Sequence, residues 1–149
     1  SWPSVISQGI SKRSLVELTD IAPTLLDYAG LEKSERMIGR SLRRLLESEF
    51  DAHRKFVRCE YYRALSLLAP GREGWEGSYA TMIRTDRYKL VVYHGHESGE
   101  LFDLEKDPGE FNNLWSDPDC NEIRFDLMKA MLDQSAFAVD LGSELTCVF

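Results

Sequence analysis

The chain has 149 residues, 43% hydrophobic and 29% charged, with a formal net charge of −7. That length fits one ordinary domain or two small ones, and the aliphatic and aromatic content suffices for a packed core, which excludes disorder over most of the chain. The acidic balance argues against a nucleic-acid binder working by phosphate neutralisation, though it permits a locally basic site, and no apolar run approaches the ~20 residues of a membrane span.

Taken in chain order, residues 1–14 read as loop, with Pro3, Gly9 and several serines and little periodicity. The chain opens on Ser1-Trp2-Pro3-Ser4-Val5-Ile6 with no charged leader or apolar signal core, which reads as the interior of a longer protein. Residues 14–18 predict a short strand. A helix follows, capped by Thr19 or Asp20, with Pro23 in its first turn, Ile21, Leu25, Leu26 and Ala29 on one face, and Gly30 as the stop. Gly39 and Ser41 precede a second short helix whose Leu42, Leu45 and Leu46 oppose Arg43 and Arg44.

From Lys55 the period changes. Residues 56–62 predict a strand, and residues 63–77, with Pro70, Gly71, Gly74 and Gly77, a long loop of the length usually reserved for function. Residues 79–85 and 87–93 predict an antiparallel hairpin about Asp86, and residues 100–104 the next strand of a meander. Lys106-Asp107-Pro108-Gly109-Glu110 is a turn. Ser116 and Asp119 then resemble a capping box, with Pro118 inside the first turn, before an amphipathic helix over 117–135 carrying Ile123, Leu127, Met128, Met131 and Leu132. The fold class predicted is α+β: a small antiparallel sheet of about four strands packed against a C-terminal helix. Residues 142–149 are a patternless tail.

Few constellations suggest chemistry. His94 and His96 form an H-x-H in a turn, without the third ligand a metal site needs. Asp103, Glu105, Asp107 and Glu110 lack calcium-loop spacing and fit turn chemistry better. No G-x-S-x-G nucleophile turn and no Gly-rich phosphate cradle occurs. Cys59, in a strand, reads as core. Cys59, Cys120 and Cys147 form no C-x-x-C pair, which leaves disulfide status and compartment open. Arg40, Arg43 and Arg44 form a small basic cluster, most simply a solvated face. The best ligand candidates are Tyr61, Tyr62 and Arg63, opening into the loop that carries Arg72 and Trp75. Aromatics and guanidinium groups at a loop mouth suit a polar, ring-shaped substrate, whereas a tyrosine ending a strand is more commonly packing.

Four ordered stretches match a known pattern. Asp20 to Gly30 resembles the D-x-x-P-T-x-L-x-x-x-G stretch of type I sulfatases, and Gly39-Arg40-Ser41-Leu42 with Leu45-Leu46 is similar to their G-x-S-L-x-P-L-L, with Arg44 in place of proline. Arg84, Tyr88 and Lys89 look like their R-x-x-x-Y-K, and Glu100 to Leu114 resembles E-L-Y-D-L-x-x-D-P-x-E-x-x-N-L. Trp2-Pro3-Ser4-Val5-Ile6 is similar to W-P-G-x-I.

The resemblance implies the C-terminal portion of a sulfatase of the alkaline-phosphatase-like superfamily. Residues 1–50 would end the catalytic α/β domain with its connecting helices, and residues 51–141 would form the C-terminal α+β subdomain. The family's formylglycine motif C-x-P-S-R is absent, since no cysteine has proline two residues later, and so are the paired aspartates and D-H/N-G segment that hold calcium. Formylglycine and calcium are therefore expected upstream, with no catalytic or metal-binding residue here, and the chain alone is expected to be inactive. A sulfated small molecule or glycan is the implied substrate. The expected partners are that substrate and an N-terminal catalytic domain, with self-association through an exposed apolar face in the first fifty residues and neither nucleic acid nor membrane span. The alternatives are a non-catalytic binding or structural module, or part of a phosphatase or phosphonate hydrolase of the same superfamily.

Overall fold

A computed structural model describes residues 2–6, 8–48, 52–64 and 78–138, without the side chains of 63, 64 and 78. Its centre is a four-stranded antiparallel sheet in the order β1-β2-β3-β4, formed by Val57–Ala64, Ser78–Arg84, Tyr88–Tyr93 and Gly99–Asp103. The α+β meander expected from alternation and turn chemistry is therefore present. Asp86 lies between β2 and β3, and Gly95, at φ +82°, supplies the left-handed residue in the turn between β3 and β4.

Register explains the core. Arg58, Ile83, Leu90 and Leu101 are paired in one row across the sheet, so three large aliphatic side chains emerge side by side on one face. The helix α3, Asn121–Phe137, lays Leu127 and Met131 onto Ile83, Leu90 and Leu101, with Phe56, Tyr88, Val92, Leu114, Trp115 and Ile123 around them. Burying these five central side chains stabilises the fold by on the order of 10 kcal/mol gross, before conformational entropy. The apolar stripe predicted for the helix is narrower than expected. Ile123, Leu127 and Met131 face the sheet, while Met128 and Leu132 are exposed.

The entry to α3 also differs. A 3-10 turn, Pro118–Cys120, precedes it, and the Asp117 carboxylate accepts the Asp119 N–H at 2.9 Å. Asp117, not Ser116, is the cap, because the extra turn moves the free amides one residue along.

The β4 edge is closed by a side chain. Asn113 Oδ1 accepts the Leu101 N–H at 3.0 Å, its Nδ2 donates to the Gly99 carbonyl at 3.0 Å, and the Leu114 N–H donates to the Leu101 carbonyl at 2.8 Å. The amide thus imitates a fifth strand. Beside it the Trp115 ring lies on Gly99, where an added Cβ would sit 2.3 Å from the ring.

The N-terminal part holds a 3-10 turn, Leu18–Asp20, running into α1, Ile21–Tyr28, and a short α2, Arg43–Glu47. Gly30, at φ +69°, ends α1 as predicted, with the Leu31 N–H reaching back to the Leu26 carbonyl at 2.9 Å. Residues 14–18 form no strand and join no ladder of the four-stranded sheet. Neither does Asp20 cap the helix. It is fully buried: its carboxylate accepts the Glu17 N–H (3.0 Å) in a local capping box of the 3-10 turn and joins distant segments, accepting the Arg40 N–H (2.7 Å), meeting His53 Nε2 at 3.2 Å, and being clamped by the Arg54 guanidinium. Burial acts to raise the Asp20 carboxyl, but Arg54 and the two amides outweigh it and hold it at about 2. Gly39 permits this closure, since a Cβ there would lie 1.9 Å from the Thr19 carbonyl oxygen.

Candidate functional site

Two adjacent strand junctions put most of the candidate residues at one end of the sheet. β1 ends and β2 begins there, as do the end of β3 and the start of β4. The H-x-H turn therefore lies beside the end of β1 and the start of β2, a proximity that sequence spacing does not reveal.

Alternation along β1 sends Tyr61 and Tyr62 to opposite faces, and both are about half exposed, at 46% and 53%. Tyr62 pairs with Tyr79 across the ladder, ring centroids 6.0 Å apart and tilted by 34°. On the same strand Thr81, buried, shares a 2.8 Å hydrogen bond with His94 Nε2. Tyr93 donates its hydroxyl to Glu100 at 2.6 Å, and that bond, with burial, raises its pKa above the usual phenol value. Tyr79, Tyr93, His96 and Ser98 line a small recess of about 210 Å³. The Arg63 backbone continues β1, and the register shifts at it, between Tyr62 and Ala64. Arg72 and Trp75 lie outside the described residues, as does most of the predicted loop.

This end of the sheet offers aromatic faces and neutral hydrogen-bonding groups, which suit recognition of a ring rather than bond-breaking. Among the described residues no three His, Cys, Asp or Glu side chains converge as a metal would require. The described residues therefore offer no ligand set that fits the calcium implied by the resemblance.

The other chemistry-bearing residues have structural partners. Asp103 accepts both Arg87 Nε (3.2 Å) and its terminal nitrogen (2.8 Å), and that guanidinium holds the carboxyl below its ordinary range. Asp107 accepts the Asn112 N–H at 2.8 Å, closing the turn. These carboxylates are therefore turn anchors, as their spacing suggests. Cys59 is exposed on the sheet face opposite α3, which corrects its expected place in the core; Cys120 is the half-buried thiol, and burial raises its pKa. The Arg40–Arg44 cluster is split. Arg43 pairs with Asp27 (3.1 Å) and Glu47 (3.0 Å) and lies over the Tyr28 ring, while Arg40 points to a different groove.

Comparison with known proteins adds to this geometry. Residues 1–136 match the family model for N-sulphoglucosamine sulphohydrolase, C-terminal. The N-acetylglucosamine-6-O-sulfatase of Bacteroides thetaiotaomicron is 28% identical over 131 residues, covering 87% of this chain and 23% of its own length. A solved structure described as in complex with its substrate D-glucosamine-2-N,6-O-disulfate is similar with a TM-score of 0.66 at 27% identity, over 80% of this chain and 24% of that one. The phosphonate monoester hydrolase of Silicibacter pomeroyi gives 0.69 at 28% identity, over 87% of this chain and 27% of that one. The chain spans roughly a quarter of the length of these relatives. With its meander, covering helix and ordered motifs matched from residue 1 to residue 136, the chain belongs to the C-terminal domain family of the N-sulphoglucosamine sulphohydrolases.

Proposed function

We propose that the protein carrying this chain hydrolyses sulfate esters, and that this chain supplies scaffold and part of the substrate-facing wall. The match of residues 1–136 to a sulfohydrolase C-terminal model carries the reading. Transfer of a sulfuryl group needs a nucleophile and charge-stabilising groups within about 3 Å of the reacting atom. No described residue is assigned to that work, which we place in a preceding catalytic domain with its formylglycine and calcium. The apolar side chains that α1 and its approach leave exposed, Leu18 at 87% and Leu25 at 65% among them, are the surface we assign to that domain.

Substrate contact falls to the loop end of the sheet. Trp75 together with one of the two tyrosines, Tyr61 on one face of the sheet or Tyr62 on the other, would stack on a sugar ring, and Arg63 and Arg72 would attract its sulfate. The similarity to a phosphonate monoester hydrolase supports a second reading, in which the same scaffold serves a phosphorus centre.

One panel tests both readings. The whole protein should hydrolyse aryl sulfates in preference to aryl phosphonates, and the 149-residue chain alone should hydrolyse neither. Arg63→Ala and Trp75→Ala in the whole protein should change relative kcat/KM among sulfated sugars. Calcium-dependent turnover by the chain alone would refute the division of labour, and unchanged ratios would reduce the loop to scaffold.

A further inference from the structure

A basic groove interrupts the surface of this acidic chain. It lies where the segment around residues 33–40 meets the start of β1 and the end of α3, and has a volume of about 800 Å³. Lys33, Arg40, Arg54, Lys55 and Arg58 line it, against Glu17 and Glu35. Counting also the carboxylates that hold its arginines, Asp20 beneath Arg54 and Glu60 beside Arg58, leaves an excess of one positive charge among the described residues, on a chain whose net charge is −7. Such a local reversal of sign concentrates anions from solution.

The cations differ in how far they are committed. Arg54 is held by Asp20 and by Glu17 at 3.3 Å, Arg58 by Glu60 at 2.9 Å and Ser135 at 2.7 Å, and Lys33 by the Met37 and Gly39 carbonyls at 3.2 Å. Arg40 and Lys55 are exposed. Arg40 makes one long bond, 3.4 Å, to the His53 carbonyl, and Lys55 meets no carboxylate among the described residues. Ile38, Phe56 and Phe137 supply apolar surface between these charges. Two uncommitted cations beside aromatic faces match a ligand that carries clustered anionic groups on rings.

We propose that this groove is a second, non-catalytic binding site for a sulfated saccharide chain, with Arg40 and Lys55 receiving its sulfates and Phe137 lying against a sugar ring. The choice of a sulfated ligand rests on the sulfatase reading; the groove itself does not. It sits at the start of β1, whereas the loop mouth sits at its end, eight residues or about 23 Å away. Only a polymeric ligand reaches both, and one that does gains effective concentration at the loop mouth.

The test is calorimetric binding of a heparin-derived decasaccharide and its desulfated counterpart to the wild-type protein and to variants, with near-ultraviolet circular dichroism checking each fold. Arg40→Gln combined with Lys55→Gln should weaken decasaccharide affinity about tenfold, each solvent-facing contact contributing roughly threefold. Lys55→Glu should weaken it further, Arg40→Lys should retain most of it, and the desulfated chain should bind poorly to all. Wild-type affinity in the folded double variant, or equal binding of the desulfated chain, would overturn the proposal. Turnover of 4-nitrophenyl sulfate by the whole protein that carries this chain is scored separately: its absence overturns the sulfatase reading, and the affinity series still decides the groove.

Discussion

Replacing Asp20 by Asn measures how firmly the N-terminal helices are bound to the approach to the sheet. The carboxylate is fully buried, and Arg54, whose side chain is only 8% exposed, is its principal partner. Asn keeps the shape and one acceptor oxygen but leaves the guanidinium facing a neutral amide. Removing one partner of a buried ion pair costs about 3–5 kcal/mol, a large share of a domain's stability. The pH dependence has a defined sign. The folded-state carboxyl titrates at about 2, below its ordinary 3.8, so its stabilisation is complete above the unfolded value and is lost as pH falls toward 2. That difference corresponds to about 2 kcal/mol. Urea unfolding of the chain at pH 6 should therefore show Asp20→Asn less stable by about 3–5 kcal/mol. By pH 2 the gap should shrink by about 1–2 kcal/mol, because only the wild type loses this contribution. A variant within about 1 kcal/mol of wild type at pH 6, or a gap unchanged at pH 2, would refute the hub.

Two further predictions concern the sheet edge and the exposed face. Asn113→Ala deletes the bonds to Leu101, Gly99 and Trp115 and should cost about 2–3 kcal/mol in urea unfolding, with faster amide exchange at Leu101; unchanged exchange there would show that the edge does not depend on the side chain. The isolated chain should self-associate through the α1 face, and Leu18→Glu with Leu25→Glu should lower its sedimentation-derived mass toward one chain; identical masses would exclude that face.

The residues differ in how openly they announce their places. β2, β3 and β4 fall within a residue of expectation because alternation and the turns at Asp86 and Gly95 are local signals. Asp20 was read as a local cap, since its real partners Arg40, His53 and Arg54 are 20 to 34 residues away. Cys59 was placed in the core because alternation distinguishes two faces without saying which one a helix will cover. The stretch at 14–18 has strand composition but pairs with no ladder of the sheet; its Glu17 carboxylate instead accepts the Arg58 N–H of β1. For the candidate site, chain order predicts a loop after Tyr62, most of which lies outside the described residues, but does not reveal that the His94–His96 turn stands beside the end of β1. Nor could spacing show that Arg40 parts company with Arg43, because Arg43 is drawn to Asp27 across the helix pair.

The borrowed amide at the rim of β4 has a bearing on how copies of this fold meet. The Leu101 N–H and carbonyl and the Gly99 carbonyl are occupied from within, so a passing chain finds no row of free partners there. On the opposite rim one outward amide, that of Arg58, is taken by the Glu17 carboxylate at 2.9 Å. Polymerisation by strand exchange would first have to evict the molecule's own residues. At β4 a single asparagine stands between a finished sheet and a template for the next one.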